Sequence, residues 1–341
     1  MKTVIKVLSI VLVLASIFSF AACSPEEEDT QIKVGVLKGA TGMGAVKIAK
    51  DSEATKDDPS GYKFTFYETA NVSNLNNDII NGTVDIAALP INACAALFNK
   101  SEGKIEVIAT NALGVLSIVG TEQLSSITDL KGKTVHTTGA ASTPEYIIKY
   151  LLSQNGMNAV TDAETPLGAN DVRVLFHADG QTAMGQMKTK GGYAMLPEPA
   201  ASAALENVPD CKLIFNVTEE WGKVSDTKLV QGCLVVNKEF AKKHPKAIEN
   251  FLKQYKNSIS YVNNADNATD VSALLVEYGI ITEAQKGHAK DAISRANIVC
   301  ITGDAMKADV KAMLGVLYAA DPKSVGGKLP TDDFYGVYNI E

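Results

Sequence analysis

Two stretches of this chain carry groups suited to holding a small solute. Gly39-Ala40-Thr41-Gly42-Met43 offers backbone N–H groups with little side chain in the way. Gly139 and Ala140, with the hydroxyls of Ser142 and Thr143, offer the same further along. If each stretch opens a helix, its amides lie at the positive end of the helix dipole, which suits a sulfonate, carboxylate or phosphate. The alternative is that any strand-to-helix turn needs small residues for itself. Pro90-Ile91-Asn92 and Pro197-Glu198-Pro199 form a second matched pair. Asn92 can donate and accept. Glu198 has two readings. As a carboxylate at a cleft edge it would favour an amine, an amidine or a ring N–H; as an acid in a first turn it would cap its own helix. Trp221, the one tryptophan, lies in Thr218-Glu219-Glu220-Trp221-Gly222, which reads as a polar loop after a strand; there it can stack on a flat ligand or pack at a hinge. Asn111 is placed at a cleft floor, and His177, just after a strand, within reach of a ligand. His136, inside a strand, reads as buried.

The chemistry that is missing narrows the field. The chain has no Gly-x-Ser-x-Gly elbow, no P-loop and no dinucleotide fingerprint, so no catalytic residue and no cofactor is expected. The Gly39–Gly44 stretch lacks the Lys-Ser/Thr that would hold a nucleotide phosphate. No His-x-x-x-His or Glu-x-x-His spacing supports a metal site. Four cysteines beyond residue 30, Cys94, Cys211, Cys233 and Cys300, are widely spaced and form no zinc pattern. They read as small buried side chains, with a Cys211–Cys233 bridge the alternative in an oxidising exterior. A net charge of −7 and the lack of a basic patch argue against nucleic acid. With 46% hydrophobic and 21% charged residues, the composition is that of a globular protein.

The elements that would position these groups repeat. Gly82-Thr83-Val84-Asp85-Ile86-Ala87-Ala88-Leu89-Pro90-Ile91-Asn92-Ala93 returns as Lys190-Gly191-Gly192-Tyr193-Ala194-Met195-Leu196-Pro197-Glu198-Pro199-Ala200. Lys33–Ala40 has the outline of Lys133–Ala140. Each echo reads as a buried strand that ends in small residues and opens a helix. Strands alternate with helices up to about residue 236, which implies mostly parallel sheets covered on both faces. From Lys238 onward the pattern predicts helices without strands, the first a long amphipathic run from Phe240 to Val262. These helices should pack back onto the first unit. The expected organisation is a lobe in two pieces, 31–117 plus 234–341, around a lobe in one piece, 118–233, joined by two strands that bend as a hinge.

The N-terminus reads as a targeting signal. Lys2 and Lys6 precede an apolar run from Val7 to Ala22, too short for a permanent span. Small residues before a single Cys23 are similar to the lipobox of bacterial lipoproteins, in which that thiol is acylated and the preceding peptide removed. Phe20 stands where Leu is commoner. Residues 1–22 are then a signal peptide and 23–30 an acidic tether. The alternative is ordinary secretory cleavage nearby, with Cys23 incidental.

With that order in view, the chain resembles the extracytoplasmic substrate-binding proteins of ABC importers, in the group that binds nitrate, sulfonates, taurine and thiamine-pyrimidine precursors. The resemblance is carried by Lys38-Gly39-Ala40-Thr41-Gly42-Met43, Val84-Asp85-Ile86-Ala87-Ala88-Leu89-Pro90, Asp129-Leu130-Lys131-Gly132-Lys133-Thr134-Val135 and Met195-Leu196-Pro197-Glu198-Pro199. The helix start Phe240-x-x-x-x-Pro245-x-Ala247 also fits. It implies an α/β, two-lobed type II periplasmic-binding-protein fold, capture of a small-molecule solute between the lobes, and delivery to a membrane permease. A monomer held to the membrane by its lipidated Cys23 is expected. Two rivals share some of these features. Small dehydratases and pyrimidine-precursor synthases use the same scaffold but are cytoplasmic, and an adhesin-like surface lipoprotein would not need two sets of cleft-facing loops.

Overall fold

A computed structural model describes residues 30–54, 61–68, 72–140 and 143–340. Its first run of elements is β1 (Ile32–Leu37), α1 (Ala40–Met43), α2 (Val46–Glu53), β2 (Tyr62–Tyr67), α3 (Val72–Asn81), β3 (Ile86–Pro90), α4 (Ile91–Lys100) and β4 (Ile105–Ala112). The middle run is β5 (Leu116–Gly120), β6 (Thr134–Thr138), α5 (Thr143–Gln154), β7 (Asn158–Val160), β8 (Asp171–His177), α6 (Gly180–Lys190), β9 (Tyr193–Pro197), α7 (Ala200–Asn207), β10 (Lys212–Asn216) and α8 (Val217–Gly222). The last run is β11 (Gly232–Asn237), α9 (Lys238–Lys243), α10 (Pro245–Asn263), α11 (Ala268–Glu277), α12 (Ala289–Arg295), β12 (Ile298–Ile301) and α13 (Gly303–Ala320).

The strands form two six-stranded sheets, ordered β12-β4-β11-β3-β1-β2 and β10-β5-β9-β6-β8-β7. Read inward, β2-β1-β3-β11-β4 in one matches β8-β6-β9-β5-β10 in the other. The two sequence echoes fall on equivalent strands, β1 with β6 and β3 with β9. Most strands in each sheet point one way. The strand next to β3, β11, runs against it, and so does β5 beside β9. Each of these reversed strands begins where the chain arrives from the other sheet. Val34, Val36, Ile86 and Ala88, together with Val135, Ala194 and Met195, are fully shielded. Helices on both faces account for these near-continuous apolar runs, which alternation alone would not produce.

Several expectations needed correction. The C-terminal part is not free of strands: β12 adds to the first sheet by pairing antiparallel with β4. At four residues between helices it is too short to show a period. The long helix expected from Phe240 is broken at His244, because Pro245 cannot continue the preceding helix and disfavours helical backbone in the residue before it. The stretch around Trp221 is helix α8 rather than a polar loop. Asn216 caps it, accepting hydrogen bonds from the Thr218 and Glu219 amides, and Glu219 and Glu220 suit its first turn. The crossings between sheets are short connectors, residues 113–115 and 223–231, outside the strands. Strand β5 belongs whole to the second sheet and β11 whole to the first.

Candidate functional site

The two repeated proline corners meet the two crossings in the same way. Pro90 ends β3 in register with Gly232, the first residue of β11. Pro197 ends β9 in register with Leu116, the first residue of β5. The residue after each proline then donates to a crossing carbonyl: Ile91 N–H to Gln231 O at 3.1 Å, and Glu198 N–H to Val115 O at 3.0 Å. Gln231 ties the crossings together. Its N–H donates to Ala112 O at 3.0 Å, and its side-chain Oε1 accepts the Val115 N–H at 2.5 Å. The N-termini of α4 and α7 are therefore held to one hydrogen-bonded knot between the sheets.

Directly beside that knot, α4 of the first sheet meets α5 of the second. Thr143 Oγ1 donates to Asn92 Oδ1 at 2.8 Å, and both side chains are buried. Two residues singled out separately from the sequence thus touch across the space between the sheets. Ser142 lies outside the described residues. Gly139 is half-buried and Ala140 exposed, at the end of β6.

The glycine-rich stretch of the first sheet sits over the ends of its strands. Gly39 has φ 109°, a backbone that strains other residues, and its carbonyl accepts the amides of Gly42 at 3.0 Å and Met43 at 3.2 Å. Asn111, fully buried at the end of β4, donates through Nδ2 to Thr41 O at 3.0 Å. Asn111 therefore positions α1 rather than offering that donor to a ligand. Its Oδ1 has no hydrogen-bond partner. Gly232 is what makes the arrangement fit: a Cβ there would come within 2.6 Å of Asn111 Oδ1 and 2.8 Å of Thr41 Cγ2. Met43 is fully buried and points into the core, so it leaves the expected set. Gly39 and Thr41 remain half-exposed, Ala40 and Gly42 buried.

Glu198 is engaged within the protein. Its side chain is fully buried, and both carboxylate oxygens are taken. Oε1 accepts Arg295 Nε at 2.6 Å; Oε2 accepts the Ser202 amide at 3.2 Å and the Ser202 hydroxyl at 2.6 Å. Arg295 also donates through Nη2 to Ser202 Oγ at 2.6 Å. The carboxylate does serve its own helix, as one reading held, and it binds α12 of the first sheet to α7 of the second. Ser202, Arg295 and Gln231 were not anticipated. An acid four residues before a serine at a helix start was legible; the arginine, far off in sequence, was not.

Trp221 is buried, donates Nε1–H to Thr227 O at 2.8 Å and packs on Tyr150 with ring centres 4.8 Å apart. It is a packing residue and presents no face to a ligand. His177 Nε2 lies 3.0 Å from His136 Nδ1, on neighbouring strands. Burial holds both imidazoles below their usual range; for His136, the adjacent His177 adds to this. One ring nitrogen of His177 is thus already engaged. Cys211 lies beside β10 of the second sheet and Cys233 in β11 of the first, and all four cysteines are free, so the Cys211–Cys233 bridge is absent. Among the described residues no three His, Cys, Asp or Glu side chains gather as metal ligands.

The model of the NMT1-like family matches residues 25–276. Solved structures match over nearly the whole length. An ABC transporter structure from Parabacteroides distasonis is 19% identical with a TM-score of 0.69, covering 91% of this chain and 100% of its own. The periplasmic aliphatic sulphonate binding protein SsuA from Escherichia coli is 14% identical with a TM-score of 0.66, covering 91% and 95%. The ligand-binding component of an ABC-type import system from Staphylococcus aureus is 14% identical with a TM-score of 0.64, covering 90% and 97%. No curated protein matches the chain.

Proposed function

Because the chain belongs to the NMT1-like family, we propose that it is the extracytoplasmic solute-binding component of an ABC importer. It works as a binding protein without catalysis, as a monomer that hands its solute to a membrane permease. The lobes are 31–115 plus 232–341 and 116–231, and the solute sits between them. The observation that carries this reading is the Asn92–Thr143 hydrogen bond, in which the first turns of two helices on different sheets face each other. Gly39, Thr41, Pro90, Gly139, Ala140, Ser142 and Pro197 complete the proposed lining. A solute that takes over the Asn92 amide and Thr143 hydroxyl would bridge both lobes and bind the closed form more tightly than the open one, as closure requires. The similarity to a sulphonate-binding protein keeps anionic solutes among the candidates, and the engagement of Glu198 with Arg295 removes the argument for an amine.

A thermal-shift screen across sulfonates, carboxylates, amino acids, polyamines and thiamine-precursor pyrimidines tests the proposal. One class should raise the unfolding midpoint, since a ligand at a hundred times its Kd stabilises the folded state by about 2.7 kcal/mol. Asn92→Ala should lose most of that rise. Turnover of any candidate, or a rise that Asn92→Ala leaves intact, overturns the reading.

Cys23 and the segment before it lie outside the described residues, in which no helix is long and apolar enough to cross a membrane. The anchor is therefore proposed from sequence: acylated Cys23 holds the protein at the cell membrane through residues 24–30. Cys23→Ala should appear in the medium or the soluble fraction; its retention with membranes would count against acylation at that thiol.

A further inference from the structure

A further ion pair crosses between the lobes on the seam that Arg295 and Glu198 share. His288 ends a short helical turn, Glu283–His288, that leads into α12 of the first lobe. Its Nε2 lies 2.7 Å from a carboxylate oxygen of Glu206, in the last turn of α7 of the second lobe, and both side chains are 35% exposed. The chain has four histidines. His136 and His177 face each other on strands of the second sheet, and His244 meets Thr30 at the first. His288 instead reaches from one lobe to the other.

The charges around His288 have partners or solvent of their own. On its own turn, Glu283 and Lys286 pair with each other at 3.3 Å. On α11, which packs against the turn, Asp270 accepts the Tyr261 hydroxyl at 2.8 Å and Glu277 pairs with Lys50 at 2.6 Å. On α12, Arg295 holds Glu198, while Lys290 and Asp291 are exposed. Glu206 is the one charged residue of α7. It lies where the negative end of that helix adds to the pull on a cation; the positive end of α12, which His288 precedes, opposes it.

We propose that His288 and Glu206 form a proton-operated clasp on the closed form. A charged imidazole holds the carboxylate of the opposite lobe; a neutral one leaves a weaker hydrogen bond. An imidazole ordinarily changes charge between about pH 5 and 8, so the lobes are held shut more at about pH 5.5 than at about pH 8. Closure then takes up protons from the solvent, and by linkage the solute is held more tightly in the acid part of that range. Both groups are partly exposed, so the closed-to-open ratio changes by a modest factor, about two- to fivefold. The clasp rests on the closure reading above and adds control by pH to it.

The test places spin labels on two exposed positions, Lys188→Cys on α6 and Lys253→Cys on α10, in the solute-free chain carrying Cys211→Ser and Cys300→Ser. Cys94 and Cys233 are fully buried and stay unlabelled. Helix α6 packs against α7, and α10 against α12, so the distance between the labels lengthens when the seam opens. Double electron–electron resonance reads the short and long populations at the two pH values. The short-to-long ratio should rise about two- to fivefold at the lower pH. His288→Gln and Glu206→Gln should each keep the higher-pH ratio throughout. His288→Arg, charged at both pH values, should keep the lower-pH ratio throughout. Two populations whose ratio ignores pH, or a pH response that survives in His288→Gln, overturn the clasp alone. One distance in every variant overturns it together with the lobe motion on which it rests.

Discussion

Replacing Arg295 with Met lowers the unfolding free energy by about 3 kcal/mol, because it leaves the Glu198 carboxylate buried without its cation. The surroundings set the size of the effect. Glu198 is fully shielded and Arg295 is only 23% exposed, so water cannot replace the guanidinium. Ser202 alone remains, donating its amide and hydroxyl to one oxygen and leaving the other bare. Urea unfolding of Arg295→Met and of Arg295→Met with Glu198→Gln measures this. The double variant should recover much of the loss, since an amide in place of the carboxylate removes the stranded charge. Equal losses in the two would mean that packing of the arginine stem, not its charge, is what matters. The ion pair also joins α12 of the first lobe to α7 of the second. Its loss should therefore weaken solute binding beyond the stability change, by lowering the closed fraction from which binding is strongest.

The second large effect is at Gly114. It lies in the short crossing between β4 and β5, where its neighbour Leu113 donates N–H to Asn297 O at 3.1 Å and its own carbonyl accepts Asn297 Nδ2. A Cβ at Gly114 would fall 1.8 Å from Thr218 Oγ1 and 3.1 Å from Leu229 Cδ2. Gly114→Ala must displace the Thr218 side chain or α8 with it, and overpacking of this kind costs about 1–3 kcal/mol. The offending atom, Thr218 Oγ1, is buried and has no hydrogen-bond partner. Thr218→Ala alone should be close to neutral, and Thr218→Ala combined with Gly114→Ala should restore most of the stability. Calorimetric midpoints of the four proteins close the cycle. A Gly114→Ala protein melting with the parent would show that the crossing yields freely at this point.

What could be read from the sequence was local. The Ala-x-Leu-Pro repeat located β3 and β9 because a strand shielded on both faces must be apolar throughout, and the proline after it must open a helix. Asn92 and Thr143 were singled out separately for sitting at helix starts, and the fold brings them together. What failed was long-range or short. Arg295 looked like any helix-end cation, since nothing near it in sequence announces a carboxylate ninety-seven positions earlier. Trp221 was set in a loop although Asn216 and the two glutamates after it spelled a capped helix. Asn111 was placed at a cleft floor, and its side-chain amide turned toward Thr41 and the backbone of α1. Gln231 carried no signal at all: its role exists only once two crossings lie side by side.

Strands β4 and β11 are antiparallel neighbours, with Ala112 in register with Gly232. Topologically they are the two arms of a hairpin, and the loop of that hairpin is the entire other lobe. The ends of this excursion are already stitched together where Gln231 reaches Ala112, so the host sheet would close whether the detour were long or brief. The entropy of closing such a loop grows only with the logarithm of its length. Changes in the size of the inserted body therefore cost the host sheet little, and the architecture leaves the guest half free to lengthen or shorten while the base stays put.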